Sequence, residues 1–173
     1  MAFKTSKYNK ILIIGNCGSG KSTLSRQISS ILELPVIHLD KYYWSHDWKT
    51  TPPEEWEKIV RNLVIKEKWI IDGNYYNTLK IRMAQAELIL FLNVNPIICL
   101  FRVLKRIFME KNRPDMPKGY ADRFDLKFYK YILSYNRKMK PKIMQLLKQT
   151  PSKVKIVTIN NPIDANDILI KIN

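Results

Sequence analysis

Residues 15–22 read Gly-Asn-Cys-Gly-Ser-Gly-Lys-Ser, the spacing G-x-x-x-x-G-K-[ST]. No other stretch restricts the fold of the chain as strongly. Phosphate oxygens need several donors at close range, and backbone N–H groups are the densest supply a chain has. Glycines let the main chain curl around an anion without Cβ clashes, and a helix that follows directs the positive end of its dipole at the same point. The pattern therefore asks for a buried strand before it and a helix after it, and both are legible. Lys10–Ile14 is a short, mostly apolar run ending at Gly15, suited to a strand covered on both faces. Residues 21–33 put Leu24, Ile28, Ile31 and Leu32 on one helical face.

The same alternation continues. Pro35 stops the first helix, and Val36-Ile37-His38-Leu39 reads as a second strand ending at Asp40. Residues 41–52 read as an aromatic, polar loop. A helix is expected from Thr51-Pro52-Pro53-Glu54, with Trp56, Ile59, Val60, Leu63 and Val64 inward. Trp69–Asp72 and Glu87–Leu92 read as the third and fourth strands. Pro96 opens a long helix with Ile97, Leu100, Phe101, Leu104 and Phe108 expected inward and Arg102, Lys105 and Arg106 outward. Residues 111–125 are basic and broken by Pro and Gly, and read as a mobile loop. Leu126 to about Leu147 is expected as one helix, Lys153–Ile159 as a fifth strand and Asp164–Ile172 as a last helix. Strands alternating with helices predict a parallel sheet covered on both faces. At 173 residues, 46% of them apolar, the chain suits a single domain over 1–173.

Charge is uneven. Thirty Lys and Arg face fifteen Asp and Glu, and residues 100–148 hold fourteen of the basic residues with only four acids. That excess implies an anionic partner: phosphorylated metabolites, nucleic acid or an acidic lipid surface. No apolar run reaches the roughly 18–20 residues that span a bilayer. The N-terminus has no apolar signal core, and Cys17 and Cys99 stand far apart, so two free thiols in a cytoplasmic protein are expected.

Within the loop, Gly15, Cys17, Gly18, Ser19, Gly20, Lys21, Ser22 and Thr23 are expected to hold the phosphates of a nucleotide. Lys21 supplies a mobile charge for the β- and γ-phosphates, and Ser22 a hydroxyl for Mg²⁺. Asp72 ends a buried strand beside the loop, where a carboxylate can hold Mg²⁺ through water. No Asn/Thr-Lys-x-Asp guanine-reading motif follows, and no Glu follows Asp72, which argues against a GTPase switch or a motor ATPase. A small kinase fits better. Arg102 and Arg106 share a helical face and are candidates for the phosphates, with Arg106 the favoured one. Arg82 and Asn74 are expected on the acceptor side. Tyr42, Tyr43, Trp44 and Trp48 crowd one loop, where packing is expected, though Tyr43 could line an acceptor wall. His38 and His46 have no metal-ligand company and receive no role.

The chain resembles the small adenylate-kinase-like P-loop kinases, and within them the proteins known as DNA topology modulation proteins. The resemblance is carried by Gly15–Thr23, Leu39-Asp40-Lys41-Tyr42-Tyr43-Trp44, Trp69-Ile70-Ile71-Asp72-Gly73-Asn74-Tyr75, the Leu100–Arg106 helix leading into Arg113-Pro114-Asp115, and Tyr135-Asn136-Arg137-Lys138. It implies a three-layer α/β/α P-loop NTPase fold with a five-stranded parallel sheet and a short helical lid near 111–125. It implies ATP and Mg²⁺ as cofactors and a small-molecule or nucleotide acceptor. Asp72-Gly73 resembles the Asp-Gly of nucleotide monophosphate kinases. Asp40-Lys41-Tyr42-Tyr43 resembles the acceptor-side motif of uridine-kinase-type enzymes, in which the Asp takes the proton of the acceptor hydroxyl. Arg113 and Arg123 resemble lid arginines, and Arg137 a later-helix arginine that meets the acceptor. The other readings are a nucleic-acid-associated protein that uses ATP, suggested by the basic cluster, and an ATP-binding regulator without transfer.

Overall fold

The computed structural model describes residues 7–45, 49–109, 115–116, 125–160 and 167–168. Five parallel strands form the central sheet: β1 (Lys10–Gly15), β2 (Val36–His38), β5 (Trp69–Asp72), β6 (Leu88–Leu92) and β7 (Lys155–Ile159), in the order β2-β5-β1-β6-β7. Two further short strands, β3 (Trp44–Ser45) and β4 (Lys49–Thr50), pair antiparallel outside it. The helices are α1 (Lys21–Leu32), α2 (Asp40–Tyr43), α3 (Pro53–Val64), α4 (Leu79–Gln85), α5 (Pro96–Met109), α6 (Leu126–Lys138) and α7 (Lys140–Lys148).

Residues along β1 alternate between two cores, as the pleat requires. Ile11 and Ile13 face Leu24 and Ile28 of α1, Cys99 and Val103 of α5, and Ile132 of α6. Leu12 and Ile14 face Trp56, Val60 and Leu63 of α3, Leu79 and Met83 of α4, and Ile143, Leu146 and Leu147 of α7. The sheet is thus covered on both faces, the three-layer arrangement read from the alternation. Strand register decides which strand ends meet. Ile13 lies opposite Asp72, His38 opposite Asp72, and Gly15 opposite Leu92. The carboxyl ends of β1, β2 and β5 therefore open on one crevice, where open α/β sheets bind ligands.

Four readings of the sequence are corrected. The stretch 41–52 is not all loop: Leu39 O accepts from both Tyr42 N and Tyr43 N at 3.0 Å, which winds α2, and the β3/β4 pair comes directly after it. Helix α4 went unread, because seven residues give too little periodicity. The expected single helix from Leu126 breaks at Met139. Pro141 cannot donate to the carbonyl four residues back, and its ring crowds Arg137, so α7 starts afresh with the proline in its first turn.

The fourth correction is the inward face of α5. Cys99 and Val103 are fully buried, while Ile97 and Phe101 are 69% and 65% exposed. Residues 96–104 are apolar almost all round, so periodicity could not choose a face. The face that packs is the one that meets the sheet core and lies against the phosphate loop at Gly18. The side chain of Phe108, the lid region other than Asp115, Met116 and Asp125, and the final helix other than residues 167–168 lie outside the described residues.

Candidate active site

The phosphate loop runs from the end of β1 to the start of α1. At Gly18, φ is +78°, and a Cβ would lie 2.3 Å from Cys99 O and 2.9 Å from Val103 Cγ2. Only glycine lets the loop lie this close to α5. Asn16 is fully buried and anchors the loop from the other side, its Nδ2 donating to Ile132 O at 2.9 Å. Asn74 Oδ1 accepts from Gly15 N at 3.0 Å. Lys21 Nζ donates to Asn16 O at 2.9 Å, folded back over the loop. Gly20 caps α1, and with no side chain of its own it leaves the first-turn amides, which attract anions, uncapped by the N-cap residue. Ser22 is half-buried in that first turn and Thr23 is exposed beside it. Cys17 is a half-buried cysteine outside any disulfide.

Asp72 is 4% exposed at the end of β5. Its Oδ2 accepts from Ser25 Oγ at 2.8 Å and lies 2.9 Å from His38 Nδ1. Sequence alone left His38 without a role. The signal was present in principle, since β2 and β5 are neighbours in register, but that pairing is a property of the sheet order. Ser22 and Asp72, the two residues expected at Mg²⁺, both carry hard oxygen donors of the kind that ion takes. No group of three or more His, Cys, Asp or Glu suited to a metal occurs among the described residues, so an all-protein metal cage is not built there.

The residues expected on the acceptor side, Asn74 and Arg82, lie after β5. Arg82, expected to face the acceptor, is fully buried. Its Nη1 donates to Gly73 O at 2.6 Å, its Nη2 to Asn74 O and to Tyr75 O at 2.8 Å, and its Nε to Thr78 O at 3.4 Å. Arg82 is a clamp on the loop, because four carbonyls already take its guanidinium. Burial lowers its pKa from the usual guanidinium range. The clamped loop turns sharply, with Tyr75 at φ +29°, a region side chains rarely adopt. The Tyr75 hydroxyl donates to Asp40 Oδ1. Burial, then the charge of Asp40 and their hydrogen bond, hold the Tyr75 pKa well above the phenol range. Tyr43 packs on Tyr75 at 4.5 Å between ring centres, and Trp56 packs on Tyr75 at 4.9 Å. Tyr43 therefore lies beside Asp40 as part of an aromatic cluster. The Asn74 amide faces the hydroxyls of Tyr131 and Tyr135.

Among the candidate cations, Arg102 comes to the loop, its Nη1 donating to Ser19 O at 3.4 Å and lying nearest the space beside Gly20. The outward orientation expected for Arg102 is thus corrected. Arg106 is half-buried one turn further along α5. Arg137 is exposed in the last turn of α6. Arg113, Arg123, His46 and Trp48 lie outside the described residues. Much of the remaining basic excess, including Lys105, Lys127, Lys130, Lys138 and Lys142, is exposed on α5, α6 and α7. No described helix is long and apolar enough to cross a membrane.

Sheet order, loop and flanking helices define the chain as a P-loop kinase fold. Among solved structures it is similar to shikimate kinase from Acinetobacter baumannii in complex with shikimate, with a TM-score of 0.60 and 17% identity over 96% of this chain and 91% of that one. It is also similar to shikimate kinase from Bacteroides thetaiotaomicron, with a TM-score of 0.57 and 20% identity over 95% of this chain and 96% of that one. No family model and no curated protein matches the sequence. The narrower resemblance to DNA topology modulation proteins gains no support from these structures, which are kinases.

Proposed function

We propose that the protein is an ATP-dependent small-molecule kinase that transfers the γ-phosphoryl to a hydroxyl of an acceptor of the nucleoside or nucleotide type. The observation that carries this reading is the placing of a phosphate loop and two carboxylates, Asp72 and Asp40, round one crevice at the carboxyl edge of the sheet. The shared fold of the shikimate kinases supports it.

In this reading the amides of residues 15–22 hold the β- and γ-phosphates, with Lys21 and Arg102 neutralising charge as it spreads over the transferring oxygens. Arg106, Arg113 and Arg137 would add to that field as the site closes. Ser22 and Asp72 would hold Mg²⁺, which when bound draws charge from the β- and γ-oxygens. Asp40 takes the proton of the acceptor hydroxyl. The hydroxyl oxygen forms the new bond to phosphorus, and the bond from phosphorus to the bridging oxygen breaks, its electron pair leaving with ADP. Cys17 belongs to the phosphate loop, and Tyr43 and Asn74 line the acceptor side.

A coupled ADP-release screen over nucleosides, nucleotides and small alcohols, shikimate among them, tests the reading. At least one alcohol is expected to raise ADP release well above the rate with water, and its product to carry one phosphate on oxygen. Tight binding of a fluorescent ATP analogue with no acceptor stimulating turnover would point instead to a nucleotide-binding regulator.

A further inference from the structure

We propose that α5 and α6 form a docking surface for an anionic lipid bilayer, onto which the protein adsorbs by laying exposed apolar and basic side chains of both helices into the headgroup layer. The surface lies outside the crevice and does not depend on the kinase reading.

Three observations converge on it. First, exposed apolar side chains gather there. Eight large hydrophobics are exposed among the described residues, and six of them, Ile97, Ile98, Phe101, Met109, Leu126 and Leu133, belong to these two helices. Single exposed hydrophobics are ordinary, but a gathering marks a place where something binds. Second, basic residues interleave with them. Ile97, Phe101 and Lys105 are spaced four apart on α5, opposite the buried Cys99 and Val103, and all three are exposed. On α6, Leu126, Lys130 and Leu133 share one exposed face opposite the buried Tyr135. Both helices bury their inner faces in the same core, Cys99 and Val103 with Tyr129 and Ile132.

Third, charge selects the occupant. Helices α5 and α6 hold seven Lys and Arg and no Asp or Glu. A second copy of the chain would bring like charges face to face. Nucleic-acid phosphates would leave the Ile, Phe and Leu side chains without an apolar partner. A bilayer with anionic headgroups satisfies both sets at once. The apolar tips enter the acyl boundary, while Lys stems lie along them and carry the ammonium out to the lipid phosphates. This is adsorption in the plane of the surface, distinct from crossing it, for which no described helix is long and apolar enough.

The test is co-sedimentation of the full chain with vesicles of phosphatidylglycerol and phosphatidylcholine in equal parts, and with vesicles of phosphatidylcholine alone. Melting temperature and binding of a fluorescent ATP analogue are followed for each variant. Wild-type protein is expected on the anionic vesicles and not on the neutral ones. Ile97→Ser combined with Phe101→Ser should weaken that binding at least about tenfold, because two large apolar side chains leave the surface. Lys105→Gln should weaken it about fivefold. Both proteins should keep the melting temperature and nucleotide affinity of the wild type, since the buried seam of α5 is untouched. Leu126→Ser combined with Leu133→Ser makes the same measurement on α6 and leaves α5 as it is. Failure to bind anionic vesicles overturns the proposal. So does binding that survives the loss of Ile97 and Phe101, which is the attraction of any basic protein to an acidic surface. Duplex DNA binding, or a dimer in solution, that depends on Ile97 and Phe101 while vesicles stay unbound would assign the face to that partner and overturn it as well.

Discussion

The carbonyl oxygen of Cys99 stands where a side chain on Gly18 would begin, 2.3 Å from the position of a Cβ. Gly20 is also left-handed, at φ +98°, but the nearest atom to its Cβ position is the mobile end of Arg102 at 3.9 Å. Backbone conformation thus penalises alanine at both positions, and steric exclusion at Gly18 alone. Gly18→Ala should destabilise by about 2–4 kcal/mol, summing left-handed strain with displacement of α5, and Gly20→Ala by about 1–2 kcal/mol. Denaturant unfolding of the two variants checks the order. An equal loss would show that α5 does not press on the loop.

Lys21 reaches back to Asn16 O and carries no structural ion pair among the described contacts. Its removal should leave the fold intact and lower phosphoryl transfer at least about 100-fold, the scale of one lost transition-state donor. Single-turnover ADP formation by Lys21→Ala reads this directly. A loss below tenfold counts against the role assigned to Lys21.

Arg82 supplies donors to four carbonyls in a fully buried setting. Arg82→Met should cost about 3–5 kcal/mol, because the carbonyls lose partners that water cannot replace. Arg82→Lys should recover little of it, since one ammonium does not span the fork that grips residues 73–75. Urea unfolding measures both. A lysine variant as stable as the wild type would remove the clamp.

Burial raises the phenol pKa of Tyr75, Tyr131 and Tyr135, with Tyr131 pushed up to about 12. For each, stability is fully present below the ordinary phenol value near 10 and is lost as pH rises through it towards the folded value. The unfolded chain ionises first, and each group then contributes a slope of about 1.4 kcal/mol per pH unit. The melting temperature should hold steady up to about pH 9 and fall steeply above pH 10. Tyr135→Phe should flatten that fall. A profile flat to pH 11 would mean that the phenols ionise in the folded protein.

Local chemistry alone settled a good deal. Eight residues of phosphate loop require a strand before and a helix after, and that local rule located β1 and α1. Alternation of apolar strands and amphipathic helices then led to the three layers, because each element reports its own burial. Asp40 and Asp72 could be placed after β2 and at the end of β5 for the same reason, each following an apolar run.

What the sequence left open depends on contacts between distant segments. The inward face of α5 was hidden because Ile97 and Phe101 are as apolar as Cys99 and Val103, and only the docking of α5 on the sheet and the phosphate loop separates them. His38 acquires a partner because β2 lies beside β5 in the sheet. Arg82 looked like a free cation until the fold drew the carbonyls of residues 73–78 round it. Tyr75 received no role of its own in the sequence, and only the fold brings its hydroxyl to Asp40, 35 residues away. Hydrophobic period and turn chemistry act over a few residues and can be read in order. Which side chain meets which across the crevice is set by strand order and helix docking, and those exist only once the chain has closed on itself.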